Sequence, residues 1–80
     1  MMEIDLDKIH TTPMGVERIR KNLNLQNENV VEWCKDQIRT AENIERKGKN
    51  FYVKTKCNAL ITINANSSTI ITAHRGRGSR

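Results

Sequence analysis

Cysteine is scarce in this sequence. Its two copies, Cys34 and Cys57, stand too far apart to suggest a disulfide framework or a zinc ribbon. Cys34 falls inside a helical pattern, where a buried thiol is the ordinary expectation. A zinc site drawn from His10, Cys34, Cys57 and His74 would lack the short paired ligand spacing that structural zinc sites use, so no metal is expected. Long apolar runs are missing as well. No stretch of about 18 apolar residues exists, which excludes a membrane-spanning helix. The segment Met1 to Lys8 is acidic and interrupted rather than basic and then apolar, so it does not read as a signal peptide. The cytoplasm is the expected compartment.

The common catalytic signatures are lacking too. There is no phosphate-binding loop, no carboxylate cluster of the metal-nuclease kind and no serine-hydrolase elbow. Gly48 is a lone turn glycine. No cofactor is expected. Acidic residues, finally, are almost absent from one half of the chain. Residues 1–44 hold six Lys/Arg against eight Asp/Glu, a net −2. Residues 45–80 hold eight Lys/Arg against Glu45 alone, a net +7. That imbalance favours a polyanionic partner such as RNA, with a solubilising surface as the plain alternative. The basic candidates for phosphate contact are Arg46, Lys47, Lys49, Lys54, Lys56, Arg75 and Arg77.

Eighty residues make one domain with a small core, so self-association into a homodimer would help its stability. Residues 1–74 read as that domain and 75–80 as a disordered basic tail without apolar residues. Ile4, Leu6 and Ile9 form a lead-in able to lie against the core. Thr11 or Thr12 suits a helix N-cap before Pro13, whose missing N–H costs nothing at the first helical position. Val16, Ile19 and Leu23 then recur at helical spacing until Asn22-Leu23-Asn24. Asn27 or Asn29 caps a second helix over about 28–40. Its stripe is Val30, Val31, Cys34 and Ile38, with Trp33 at the edge.

From there the period changes to two. Ile44–Arg46, Phe51–Thr55, Leu60–Asn64 and Thr69–His74 read as strands separated by short polar turns. The expected fold is α+β: two N-terminal helices packed on a four-stranded antiparallel meander. Alternation assigns faces. Phe51 and Val53 inward put Tyr52 and Lys54 outward, and Ile71 with Ala73 inward puts Thr72 and His74 outward. Arg46, Tyr52, Lys54, Thr72 and His74 would then share an outer patch, and a simple solvated sheet face is the rival reading.

That patch carries the residue types of metal-independent RNA cleavage. The reaction needs a base for the 2′-hydroxyl proton, an acid for the leaving oxygen and cations for the phosphate. Histidine serves as acid or base near neutrality, and Arg and Lys stabilise the phosphoryl charge. The candidate catalytic set is His74, His10, Tyr52, Arg46 and Lys54, with capping or packing as the alternative role of His10. A protein-binding module, antitoxin-like or a phage or host inhibitor, is the second functional class. It would use the sheet face or an exposed edge strand. A helix-turn-helix reader of DNA ranks last, because the second helix carries Glu32 and Asp36 where a recognition helix needs cations.

Several segments in order resemble a known family. They are Asp7-Lys8-Ile9-His10-Thr11-Thr12, Arg18-Ile19 to Asn22-Leu23, Val30-Val31-Glu32-Trp33-Cys34-Lys35, Gly48-Lys49-Asn50-Phe51-Tyr52-Val53, Ile61-Thr62-Ile63-Asn64 and Thr69 to His74. Together they resemble the small bacterial domain-of-unknown-function family thirty-seven eighty-one, over nearly the whole chain to His74. The resemblance implies bacterial or phage origin and brings no activity. Helices followed by a four-stranded sheet are also similar to the barnase–EndoU–colicin–RelE-like ribonuclease fold of many toxins. That likeness implies His74 as acid or base, with Arg46, Lys54 and Tyr52 at the phosphate.

Overall fold

In a computed structural model the described residues are 4–26 and 29–75. Arg75, expected as the first residue of the disordered tail, instead ends the last strand, while 76–80 with Arg77 and the candidate cap Asn27 lie outside the described residues. A short 3₁₀ turn spans Leu6–Lys8, with the Asp5 side chain accepting from the Asp7 N–H. Helix α1 covers Pro13–Leu23. Thr12 is its N-cap: the hydroxyl accepts from the Gly15 N–H at 3.0 Å, and Pro13 opens the first turn. Asn24 ends the helix in the left-handed region at φ 58°, a conformation asparagine tolerates better than most residues. Helix α2 covers Val30–Arg39, starting at the first residue of its apolar stripe rather than at about residue 28, because Asn29 is the cap and its side chain accepts from the Glu32 N–H.

Four strands follow: β1 Asn43–Lys47, β2 Asn50–Lys54, β3 Ala59–Asn64 and β4 Ile70–Arg75. They form one open antiparallel sheet in chain order, the meander expected of short polar turns. Two residues, Gly48 and Lys49, join β1 to β2. Gly48 sits at φ +62° as the first turn residue, where a side chain would be strained. Between β2 and β3 the buried Thr55 closes the loop, its hydroxyl accepting from the Ala59 N–H at 2.9 Å.

The helices cover one sheet face. Two cross-strand rows point toward them: Ile44–Val53–Ile61–Ala73 and Arg46–Phe51–Ile63–Ile70. Ile19 and Leu23 of α1 and Val30, Cys34 and Ile38 of α2 pack there, joined by Ile4 and Ile9 of the lead-in. No helix among the described residues is long and apolar enough to cross a membrane.

One face assignment needs correction. Ile71 was expected inward, but it is 43 % exposed while Ile70 is buried. Ile63 pairs with Ile70 and Thr62 with Thr72, so Ile71 is an extra residue in a bulge. The bulge breaks strict alternation at the start of β4. After it, Ala73 points inward and Thr72 and His74 outward, as alternation from Ala73 requires.

The two thiols live in opposite surroundings. Cys34 is fully buried on α2, and burial pushes its pKa up to about 12. Cys57 is exposed in the β2–β3 loop, within 3.2 Å of the Thr55 hydroxyl and 3.6 Å of Gln37 Oε1. A thiol reagent added to native protein should therefore label Cys57 alone, with Cys34 reacting only after denaturation. The same burial sets a pH dependence. Above about pH 9 the unfolded chain ionises Cys34 while the folded chain keeps it neutral. This contribution to stability is intact below pH 9 and is lost progressively toward 12, which alkaline urea titrations of wild type and Cys34→Ala would compare.

Candidate nucleic-acid interface

The sheet face away from the helices carries a grid set by strand register. One row runs Asn43, Lys54, Leu60 and His74, and the next runs Glu45, Tyr52, Thr62 and Thr72. A further row pairs Lys47, Asn50 and Asn64. Tyr52 and Leu60 stand exposed near the centre, on the two inner strands, and Ile71 lies exposed at the β4 side. Asn50 Nδ2 donates to the Tyr52 hydroxyl at 3.4 Å, which steadies the ring from the neighbouring row. His74 Nδ1 lies 3.1 Å from the Arg75 carbonyl, which can only accept, so the ring donates there through Nδ1.

The expected site residues divide into three groups. Tyr52, Lys54, Thr72 and His74 share the open face. Leu60 separates Lys54 from His74, whose α-carbons are therefore about 10 Å apart at normal strand spacing. Arg46 is not with them. It pairs with the inward-facing Phe51, and its guanidinium lies 5.6 Å from that ring on the helix side. The placement of Arg46 in the outer patch is thus corrected. The reason is register: Arg46 shares the parity of the half-buried Ile44, whereas Glu45 faces outward.

His10 is the third case. It bridges Thr69 in parallel at the start of β4, with its N–H donating to the Ser68 carbonyl and its carbonyl accepting from the Ile70 N–H. Its ring spans from the Lys8 carbonyl at Nδ1, 2.9 Å, to the Thr69 hydroxyl at Nε2, 3.0 Å. Ser67 Oγ continues the chain to Thr69 at 2.7 Å. Four residues of strand lie between Thr69 and His74, which are roughly 15 Å apart. The two histidines therefore cannot flank one phosphate. His10 instead ties the lead-in to the β3–β4 hairpin, the packing role weighed against catalysis.

The remaining cations are distributed around the sheet. Lys47 is on the open face and forms a 3.8 Å ion pair with Glu45. Lys49 and Lys56 occupy the exposed turns at opposite ends of β2. Arg75 pairs with the inward-facing Ala59 and donates to the Leu23 carbonyl at 3.5 Å, so it caps α1 rather than joining the face. The zinc candidates are equally scattered, with Cys34 in the core, Cys57 in a loop and the histidines at opposite ends of β4. Among the described residues no group of three or more His, Cys, Asp or Glu side chains could hold a metal ion.

Leu60 and Thr62 had not been assigned to the site. Their signal was present, because alternation about the inward Ile61 and Ile63 puts both outside.

The family model described as "Protein of unknown function (DUF3781)" matches residues 4–74. The chain belongs to that family. No curated protein and no solved structure matches it. The family match spans both helices and all four strands up to His74, so it takes in the whole open face. The likeness to ribonuclease toxins finds no counterpart in these comparisons and adds nothing to the family assignment.

Proposed function

We propose that this protein binds single-stranded RNA on the open face of its sheet. The observation that carries the reading is charge separated by layer. Among the described residues the lead-in and helices, 4–26 and 29–42, hold six Lys/Arg against six Asp/Glu, whereas the sheet and its turns, 43–75, hold six Lys/Arg against Glu45 alone. On the open face Glu45, on the edge strand, is the single acidic side chain among the described residues. Tyr52 offers a ring on which a base can stack, with Lys54 beside it for a phosphate. Thr62 and Thr72, in the row of Tyr52, supply hydroxyl donors and acceptors. His74 is a contact residue in this reading, not half of a two-histidine cleavage pair, since His10 lies at the far end of β4.

Fluorescence anisotropy with a labelled single-stranded RNA of mixed sequence tests the proposal. Three or four phosphate contacts, from Lys47, Lys49, Lys54 and Lys56, predict a slope of about −2 to −3 for log K against log salt. Loss of all binding at low salt would sink the reading. Binding of a protein partner that persists at high salt, where phosphate contacts fail, would instead assign the Tyr52–Leu60–Ile71 surface to protein recognition.

A further inference from the structure

The lysines of the open face and its turns follow one line. Lys47 ends β1, Lys49 lies in the first hairpin turn, Lys54 ends β2 and Lys56 lies in the turn after it, and all four are exposed. They gather in two pairs, one at each end of β2, with Tyr52 between them. The rows continue onto β3 and β4 through Leu60, Thr62, Asn64, Thr72 and His74. Among the described residues that half of the face carries no Lys or Arg, since Arg75 shares the inward side of Ala59.

Glu45 fixes the direction a polyanion can take. It stands at the β1 end of the row of Tyr52, Thr62 and Thr72, 3.8 Å from Lys47. A strand crossing the sheet along that row would pass its phosphates over the carboxylate and meet no cation of the row. A strand running along β2 meets both lysine pairs and leaves Glu45 to one side. Spacing agrees with that direction. Successive open-face residues of β2 are two positions apart, about 6.6 Å. An extended single strand of RNA advances by about the same distance per nucleotide.

We infer that the RNA lies along β2 with one nucleotide per cross-strand row, its phosphates over the lysine line and its bases turned toward β3 and β4. The positions are the row of Lys47, the row of Tyr52, the row of Lys54, and Lys56 beyond it. The footprint is therefore about four nucleotides, the small end of the range for single-strand binding. Each base meets the side chains of its own row. The base beside Tyr52 meets the hydroxyls of Thr62 and Thr72, both half-buried and fixed in place by the sheet. The next base meets Leu60 and His74. In the row of Lys47, Asn64 Oδ1 is already held by the Asn66 and Ser67 N–H groups, so that position selects least. Thr62, nearest to Tyr52, is the main specificity-determining residue.

The track rests on RNA binding at the open face, and its tests separate the two. Anisotropy with labelled oligomers of two, four and eight nucleotides should show affinity rising steeply to four, with eight gaining only the few-fold of its added registers. Among tetramers varied one base at a time, Thr62→Val should change discrimination at a single position by roughly two- to tenfold, the size of one lost hydrogen bond, with the salt slope intact. Lys49→Ala and Lys56→Ala should each lower the slope by about one and leave base discrimination intact. Nitroxide labels on the two ends of a tetramer should broaden wild-type amides at opposite ends of β2. No binding at any length in low salt would refute RNA binding and the track together. Binding that keeps rising steeply to eight nucleotides would overturn the track alone. So would end labels that broaden β1 against β4, or a Thr62→Val chain with unchanged base discrimination.

Discussion

Replacing Tyr52 with Ala is expected to weaken single-stranded RNA binding by about 1–3 kcal/mol, which is roughly five- to 150-fold. The size comes from the stacking a base loses when the one Phe, Tyr or Trp ring on the open face among the described residues is removed. Phe51 faces the core and Trp33 lies on α2, so neither can take over, and the smaller ring of His74 stands two strands away. Stability should change little, because Tyr52 is 38 % exposed and its hydroxyl has only a long contact to Asn50. Tyr52→Phe keeps the stacking surface and should keep most of the affinity. Lys54→Ala should act differently, lowering affinity modestly and reducing the salt slope by about one. Equal affinities for wild type and Tyr52→Ala would remove Tyr52 from the interface.

The second large effect is on folding. Ile61→Ala should cost about 2–5 kcal/mol, a large part of the stability of so small a domain. Ile61 is fully buried on an inner strand, between Val53 and Ala73 in its cross-strand row. Ala73 has too small a side chain to fill the resulting space. Leu60, one residue earlier, points to the open face and is 37 % exposed. Leu60→Ala should cost less than about 1 kcal/mol. Urea denaturation of the pair measures the difference, and a larger loss for Leu60→Ala would contradict the face assignment.

Most of the fold was legible because local signals agreed with one another. Thr12 before Pro13, Asn29 before Glu32 and the turn glycine Gly48 each mark a boundary chemically, and the structure uses all three. The change from helical period to alternation located the sheet. Two things were not legible. The bulge at Ile71 depends on how β4 settles against β3, and five β-branched or small residues in a row do not announce it. The side taken by Arg46 was hidden because β1 is a highly exposed edge strand, with only Ile44 half-buried to set its phase. Aliphatic parity would have placed Arg46 inward, whereas its charge suggested the open face. His10 was misleading in another way. Its sequence position before a helix allowed either capping or chemistry, and only the pairing with Thr69, 59 residues away, decides where its ring goes.

The most direct test of RNA binding on the open face is an amide and side-chain NMR titration of the full chain with a short single-stranded RNA. The account predicts shifts concentrated at Tyr52, Lys54, Leu60, Thr62, Thr72 and His74, with α1 and α2 unmoved. Shifts centred on the helices, or none at low salt, would contradict it.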